Sequence, residues 1–158
     1  MIQATVLETP HVVVGAAIAT KVANPALSLP LALASHFILE KIPHWNPHLN
    51  TETEKFGRPT TKSIKIVIVD VILALTAGSL IASRVLPNIN HALIILAASF
   101  TAALPDIIEG PYFFLGLKNK TIKRWINLQK SIQSDASLIP GLFNQLITVA
   151  AALVWIIS

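Results

Sequence analysis

The stretch LIPGLFNQLITVAAALVWII, residues Leu138–Ile157, runs for twenty residues without a charge. A helix needs about 20 apolar residues to cross a bilayer core, so this segment reads as a membrane span. Working back toward the N-terminus, residues 66–83 repeat the pattern with Asp70 as the only ionisable group. Residues 91–104 are shorter, but can extend through Pro105 to about Glu109. The first third is less regular. Residues 12–20 are apolar and rich in small side chains, Gly15 among them, and residues 26–39 form a second apolar run with Pro30 inside it, where a kink is expected. Between them Asn24-Pro25 marks a helix start, with Asn24 as N-cap and Pro25 at the first helical position.

The chain of 158 residues is 53% hydrophobic and 13% charged, against about 25% charged for an ordinary soluble domain. Its polar residues cluster between long apolar runs, and period-two alternation is absent. These features predict an all-α fold, a polytopic membrane bundle of about five helices whose first two form a short hairpin. The whole of 1–158 reads as one integral-membrane domain. Cysteine is absent, which excludes disulfides, thiolate metal sites and a cysteine nucleophile. Residues 1–10 hold no Lys or Arg, so a cleavable secretory signal is not expected.

Basic residues gather in two connections. One carries Lys55, Arg58 and Lys62, with Lys41 and Lys65 at its edges; the other carries Lys118, Lys120, Lys123, Arg124 and Lys130. The turns near Asn24 and Pro87 hold almost nothing basic. The positive-inside rule then puts both basic loops in the cytoplasm, as in a bacterial-type inner membrane, with the N-terminus inside and the C-terminus outside. Cations alternate with Ile122, Trp125 and Ile126 in the second loop, which suits an amphipathic helix lying on anionic headgroups. Membrane lipids are therefore the expected partners, and nucleic acid is not.

On that topology the ionisable residues converge. His11, His36, Glu40, His44, His48, Asp70, Asp106 and Glu109 all fall toward the cytoplasmic layer, although the positive-inside count used none of them. His36 and Glu40 are four apart and share a helical face. Neutral imidazoles with carboxylates suit a divalent metal such as Zn²⁺. The candidate ligands are His11, His36, His44, His48, Asp106 and Asp70. Glu40 and Glu109 are the candidate catalytic carboxylates, although sequence alone does not separate ligand from general base among Glu40, Asp106 and Glu109. Asp70 lies inside an apolar run, where a carboxylate is costly and functional by default; its plainer reading is a hydrogen bond to a Ser, Thr or Asn of a neighbouring helix, or a pairing with Lys65. Gly15 reads as close helix packing, and His91 as a solvated helix end.

Three short motifs carry a resemblance. His11 to Gly15 forms His-x-x-x-Gly, Leu104 to Ile107 reads Leu-Pro-Asp-Ile, and His36, Glu40, Pro43 and His44 give a His-x-x-x-carboxylate followed by Pro-His. Together they resemble the bacterial membrane-bound metal-dependent hydrolases, which are small multi-helix membrane proteins. The resemblance implies metal-dependent hydrolase activity, and the first functional reading is a hydrolase acting on a phosphoester or a lipid headgroup. This chain departs from the family pattern Pro-Asp-x-Asp-His, having Pro105-Asp106-Ile107-Ile108-Glu109, and it carries Glu40 where the family has an aspartate. The alternative is a membrane protein without chemistry, an ion-binding carrier or an assembly scaffold. Asp70 alone supplies a carboxylate toward the bilayer middle, which argues for a one-sided site rather than a through-going path.

Overall fold

The structure is a computed structural model and describes residues 7–158. The reading of residues 1–10 against a signal sequence falls in part outside them. Among the described residues the chain is all-helical, with one isolated bridge between His44 and Asp135 and no strand. In chain order the helices are α1 (Glu8–Lys21), α2 (Pro25–Leu39), α3 (Leu49–Phe56), α4 (Thr61–Ser83), α5 (Ile89–Ile107), α6 (Gly110–Phe114), α7 (Lys120–Ile132) and α8 (Leu138–Ile157).

Three of these, α4, α5 and α8, are long and apolar enough to cross a membrane, with 23, 19 and 20 residues. At 1.5 Å per residue they rise about 28–34 Å, matching a ~30 Å hydrocarbon core. The helices α1 and α2 have 14 and 15 residues and rise only about 21–23 Å. The expected count of five therefore resolves into three helices of spanning length around a short hairpin, with three further helices in the connections. Side chains on the outer faces of the long helices require an apolar surround. Leu75 and Leu146 are each 67% exposed, and such residues recur along α4 and α8.

The hairpin begins where the sequence indicates. Asn24 Oδ1 accepts from the Ala26 amide at 3.0 Å, and Pro25 opens α2, which continues through Pro30. The helix α1 is the centre of the bundle and packs on α2, α4, α5 and α8. It can do so because Gly15, Ala16, Ala17 and Ala19 leave it thin on every side. At Gly15 an added Cβ would lie 2.7 Å from the Ala98 carbonyl oxygen and 2.8 Å from Ala102 Cβ, so the α1 and α5 backbones nearly touch. His91, expected to be solvated, is instead half-buried, with Nε2 2.9 Å from the Ala19 carbonyl. A carbonyl only accepts, so His91 donates and ties the start of α5 to the end of α1.

A second close approach lies at the start of α8. A Cβ at Gly141 would fall 2.3 Å from the Trp45 amide nitrogen, so the loop after α2 crosses directly over α8. That loop is held by backbone bonds from His44 to Ser134 O, from Ser134 to Glu40 O and from Ala136 to His44 O.

The Gly15 contact gives a test with a definite sign. Alanine is the better helix former by about 1 kcal/mol, so Gly15→Ala would stabilise an open helix. Here overpacking against α5 reverses the sign, and the variant is expected to lose about 1–3 kcal/mol, read as a lower unfolding midpoint in detergent. An unchanged or raised midpoint would show that the α1–α5 approach is looser than described.

Candidate metal centre

Three helix ends meet at one level of the bundle: the start of α1, the end of α2 and the end of α5. Each contributes one side chain. A ring nitrogen of His11, a ring nitrogen of His36 and a carboxylate oxygen of Asp106 all lie within 4.8 Å of one another. Small side-chain rotations would bring them to the ~2.0–2.2 Å bonds of zinc. His11 and His36 are fully buried, and their rings stack at 4.3 Å. Glu40, which closes α2, places Oε1 3.5 Å from His11 Nε2 without hydrogen bonding to it.

The hydrogen bonding of this cluster does not close on itself. The Ala102 carbonyl can only accept, so His36 Nδ1, 2.8 Å away, carries the ring proton and donates it. His36 Nε2 then presents a lone pair, with Asp106 Oδ1 3.9 Å away and the Gln129 side-chain amide at 3.0 Å. The same amide faces Asp106 Oδ1 and Glu109 Oε1, each at 3.0 Å. An amide has one donating end and one accepting end. Turned one way, it sets its oxygen against the His36 lone pair; turned the other way, it sets that oxygen against two carboxylates. Either orientation leaves acceptor facing acceptor, and only added positive charge, a proton or a cation, resolves the conflict.

Both His11 ring nitrogens, Glu40 Oε1, Asp106 Oδ2 and Glu109 Oε2 are buried without hydrogen-bond partners among the described residues. Each such atom costs about 1–3 kcal/mol when left unsatisfied. Burial, and then the neighbouring Asp106 carboxylate, push the Glu109 carboxyl up to about 8. A buried group of this size, rich in acceptors and poor in donors, is the donor set that a divalent cation satisfies.

The remaining sequence candidates lie elsewhere. His44 is buried, but both its ring nitrogens are engaged: Nδ1 donates to the Ile42 carbonyl at 2.6 Å, and the Gln133 amide stands 3.1 Å from Nε2. It shares with His11 a cavity of about 20 Å³, room for a single water. His48 is the N-cap residue of α3 and stands outside the His11, His36 and Asp106 group. Asp70 is also outside that group and caps a helix. Its carboxylate accepts from the backbone amides of Glu8 and Thr9 and from Thr9 Oγ1, the last at 2.6 Å. The first turn of α1 thus receives its missing cap from α4, with negative charge at the positive end of the helix dipole. His11 sits two residues further on, so Asp70 holds the helix that presents it.

Gln129, which the sequence reading passed over, is the hub of the cluster. It comes from α7, whose apolar stripe of Ile122, Ile126 and Gln129 turns toward the bundle, with Ile126 and Gln129 buried. Trp125 Nε1 donates to the Pro105 carbonyl at 2.9 Å, and Lys123 Nζ reaches Asn50 and Glu54 of α3, so α7 is laid over the site. The signal available was a glutamine at helical spacing on an otherwise apolar stripe.

Comparison with family models, with curated proteins and with solved structures gave no match for this chain.

The cap predicts a separation of roles. Asp70→Asn is expected to cost about 1–2 kcal/mol of stability while the protein keeps its full metal stoichiometry, as measured by elemental analysis beside a melting curve. Loss of metal at unchanged stability would instead make Asp70 a ligand.

Proposed function

We propose that this chain is an integral protein of a bacterial-type cytoplasmic membrane that holds one divalent cation, zinc by its donor set, between His11, His36 and Asp106, and that it is a hydrolase acting on a phosphoester or another bond at the headgroup layer. The observation that carries the reading is the meeting of three ligand atoms within 4.8 Å in a buried cluster with several unpaired acceptors. The cation would supply Lewis acidity to the substrate. The chain's own residues do the rest. Ala102 fixes the His36 tautomer, as carbonyl partners of metal-ligating histidines do. Gln129 positions His36, Asp106 and Glu109 together. Glu40 and Glu109 are the carboxylates within reach of the cluster that can take a proton from an attacking water.

One observation favours the second reading, cation binding without chemistry. His11 and His36 have no exposed surface, and α7 closes the cluster on the side of the loops. A hydrolase must admit its substrate by another route.

Metal analysis with a hydrolysis screen on phosphoesters and lipids distinguishes these readings. The wild-type protein is expected to hold about one cation per chain, and His11→Ala, His36→Ala and Asp106→Asn to lose it. Gln129→Leu should weaken affinity about 10–100-fold without changing stoichiometry. Equal metal content in all variants would remove the centre; metal bound without turnover on any substrate would leave the carrier or scaffold reading.

The membrane orientation has its own check, made simple by the absence of native cysteine. Lys62→Cys and Lys120→Cys should react with an impermeant maleimide from the cytoplasmic face only. Labelling from opposite faces would overturn the topology.

A further inference from the structure

The cluster is covered by α7, yet Asp106 is not sealed off. A groove of about 340 Å³ runs between α4 and α5 with α1 as its floor, and Asp106 and Glu8 stand among its lining residues. The groove exists because α4 and α5 line it with small groups. These are Ala74 and Gly78 of α4 and Ala103 of α5, and a Cβ at Gly78 would already sit 3.1 Å from Val12 Cγ1 of the α1 floor. Its rims are apolar, with Val71, Leu75 and Phe100 exposed along them. Along α5 the lining runs from Leu96 to Ile107, about 17 Å of helix, compared with about 15 Å for one leaflet of a ~30 Å core.

Three polar atoms in this apolar groove are buried and lack hydrogen-bond partners among the described residues: Glu8 Oε2, Asp106 Oδ2 and Ser99 Oγ. Ser99 is 5% exposed, and its hydroxyl lies 3.5 Å from the position of a Gly78 Cβ, in the gap between the helices. It stands seven residues before Asp106, about 10 Å deeper along the helix. The order of groups down the groove is therefore carboxylates at the interfacial end, an unused hydroxyl below them, and hydrocarbon walls beyond.

We infer that this groove is a lateral entry and binding site for a membrane glycerophospholipid: its phosphoester head lies at Asp106, an ester carbonyl accepts from Ser99 Oγ, and an acyl chain runs between α4 and α5 past Gly78. The inference rests on the proposed metal centre, because a phosphate facing Glu8 and Asp106 needs a cation between them. It supplies the route that α7 denies from the loop side, and it narrows the substrate class to a lipid taken directly from the bilayer.

The test uses the full chain in dodecyl maltoside micelles with a phospholipid carrying a photoactivatable diazirine on one acyl chain. Adducts are mapped by peptide mass spectrometry, and metal content is measured on the same samples. Crosslinks are expected to concentrate within 71–79 and 96–103 and to be competed by unlabelled phospholipid at least fivefold better than by diacylglycerol. Val71→Trp and Ser79→Phe, two exposed lining positions, should each cut these adducts at least fivefold while leaving metal content unchanged, which also shows that the variants fold. Ser99→Ala should weaken labelling with metal retained. Adducts spread evenly over the outer faces of α4 and α8, indifferent to Val71→Trp, would mean annular lipid only and would overturn the site. Equal competition by diacylglycerol would overturn the phosphoester assignment. Groove labelling that persists in a wild-type protein without metal would uphold the acyl-chain site but overturn the placement of the phosphoester on a cation, so the two claims fail separately.

Discussion

The α1 backbone lies so close to α5 that one methyl group at Gly15 would meet both the Ala98 carbonyl and the Ala102 side chain. That approach sets the rest of the architecture. A helix of 14 residues cannot cross the bilayer by itself, but one built from Gly and Ala can sit inside a ring of four neighbours and bury its whole circumference. Because α1 is central and short, its first turn is half-buried in the bundle, with backbone amides that have no partner within α1. Asp70 of α4 answers those amides. A carboxylate that is costly within an apolar helix is satisfied by the end of another helix, and each explains the presence of the other.

The same arrangement makes a metal centre available. With α1 fixed against α5 at Gly15 and capped by α4, His11 has little freedom, and the ends of α2 and α5 bring His36 and Asp106 to it. The cluster then accumulates acceptors faster than donors. Five buried polar atoms on His11, Glu40, Asp106 and Glu109 lack partners among the described residues, and the Gln129 amide cannot satisfy both the imidazole and the carboxylates. A fold that gained nothing from this arrangement would be better off with apolar side chains at these positions. The groove between α4 and α5 adds a second set of unused polar atoms continuous with the first. Both sets would be satisfied by one cation and one lipid head.

Much of this was legible in the residues because long apolar helices write a coarse code. The uncharged run of α8, the single charge in α4 and the Asn24-Pro25 start of α2 each follow from one local rule. The convergence of His11, His36 and Asp106 on one layer followed from topology alone, since alternating helices return every second end to the same side. Contacts between particular side chains were not legible. Neither the cap that α4 gives α1 nor the bond from His91 to Ala19 has a local signature, because each depends on which helices become neighbours. The short α3 and α6, with 8 and 5 residues, carry too little apolar periodicity to be read as helices. Gln129 escaped notice because the eye goes to the cations of α7, whereas the informative residue is the one polar group on its buried stripe.

The claim on which the account turns is that two imidazoles and a carboxylate share a cation inside this bundle. X-ray absorption at the zinc edge, on protein purified in detergent and loaded with one equivalent of zinc, reads that shell directly. The account predicts nitrogen and oxygen neighbours at about 2.0–2.1 Å with the multiple-scattering pattern of two imidazole rings, a pattern lost in His36→Ala, which no longer holds the cation. A shell of oxygens with no imidazole scattering, or a spectrum unchanged by His36→Ala, would contradict it.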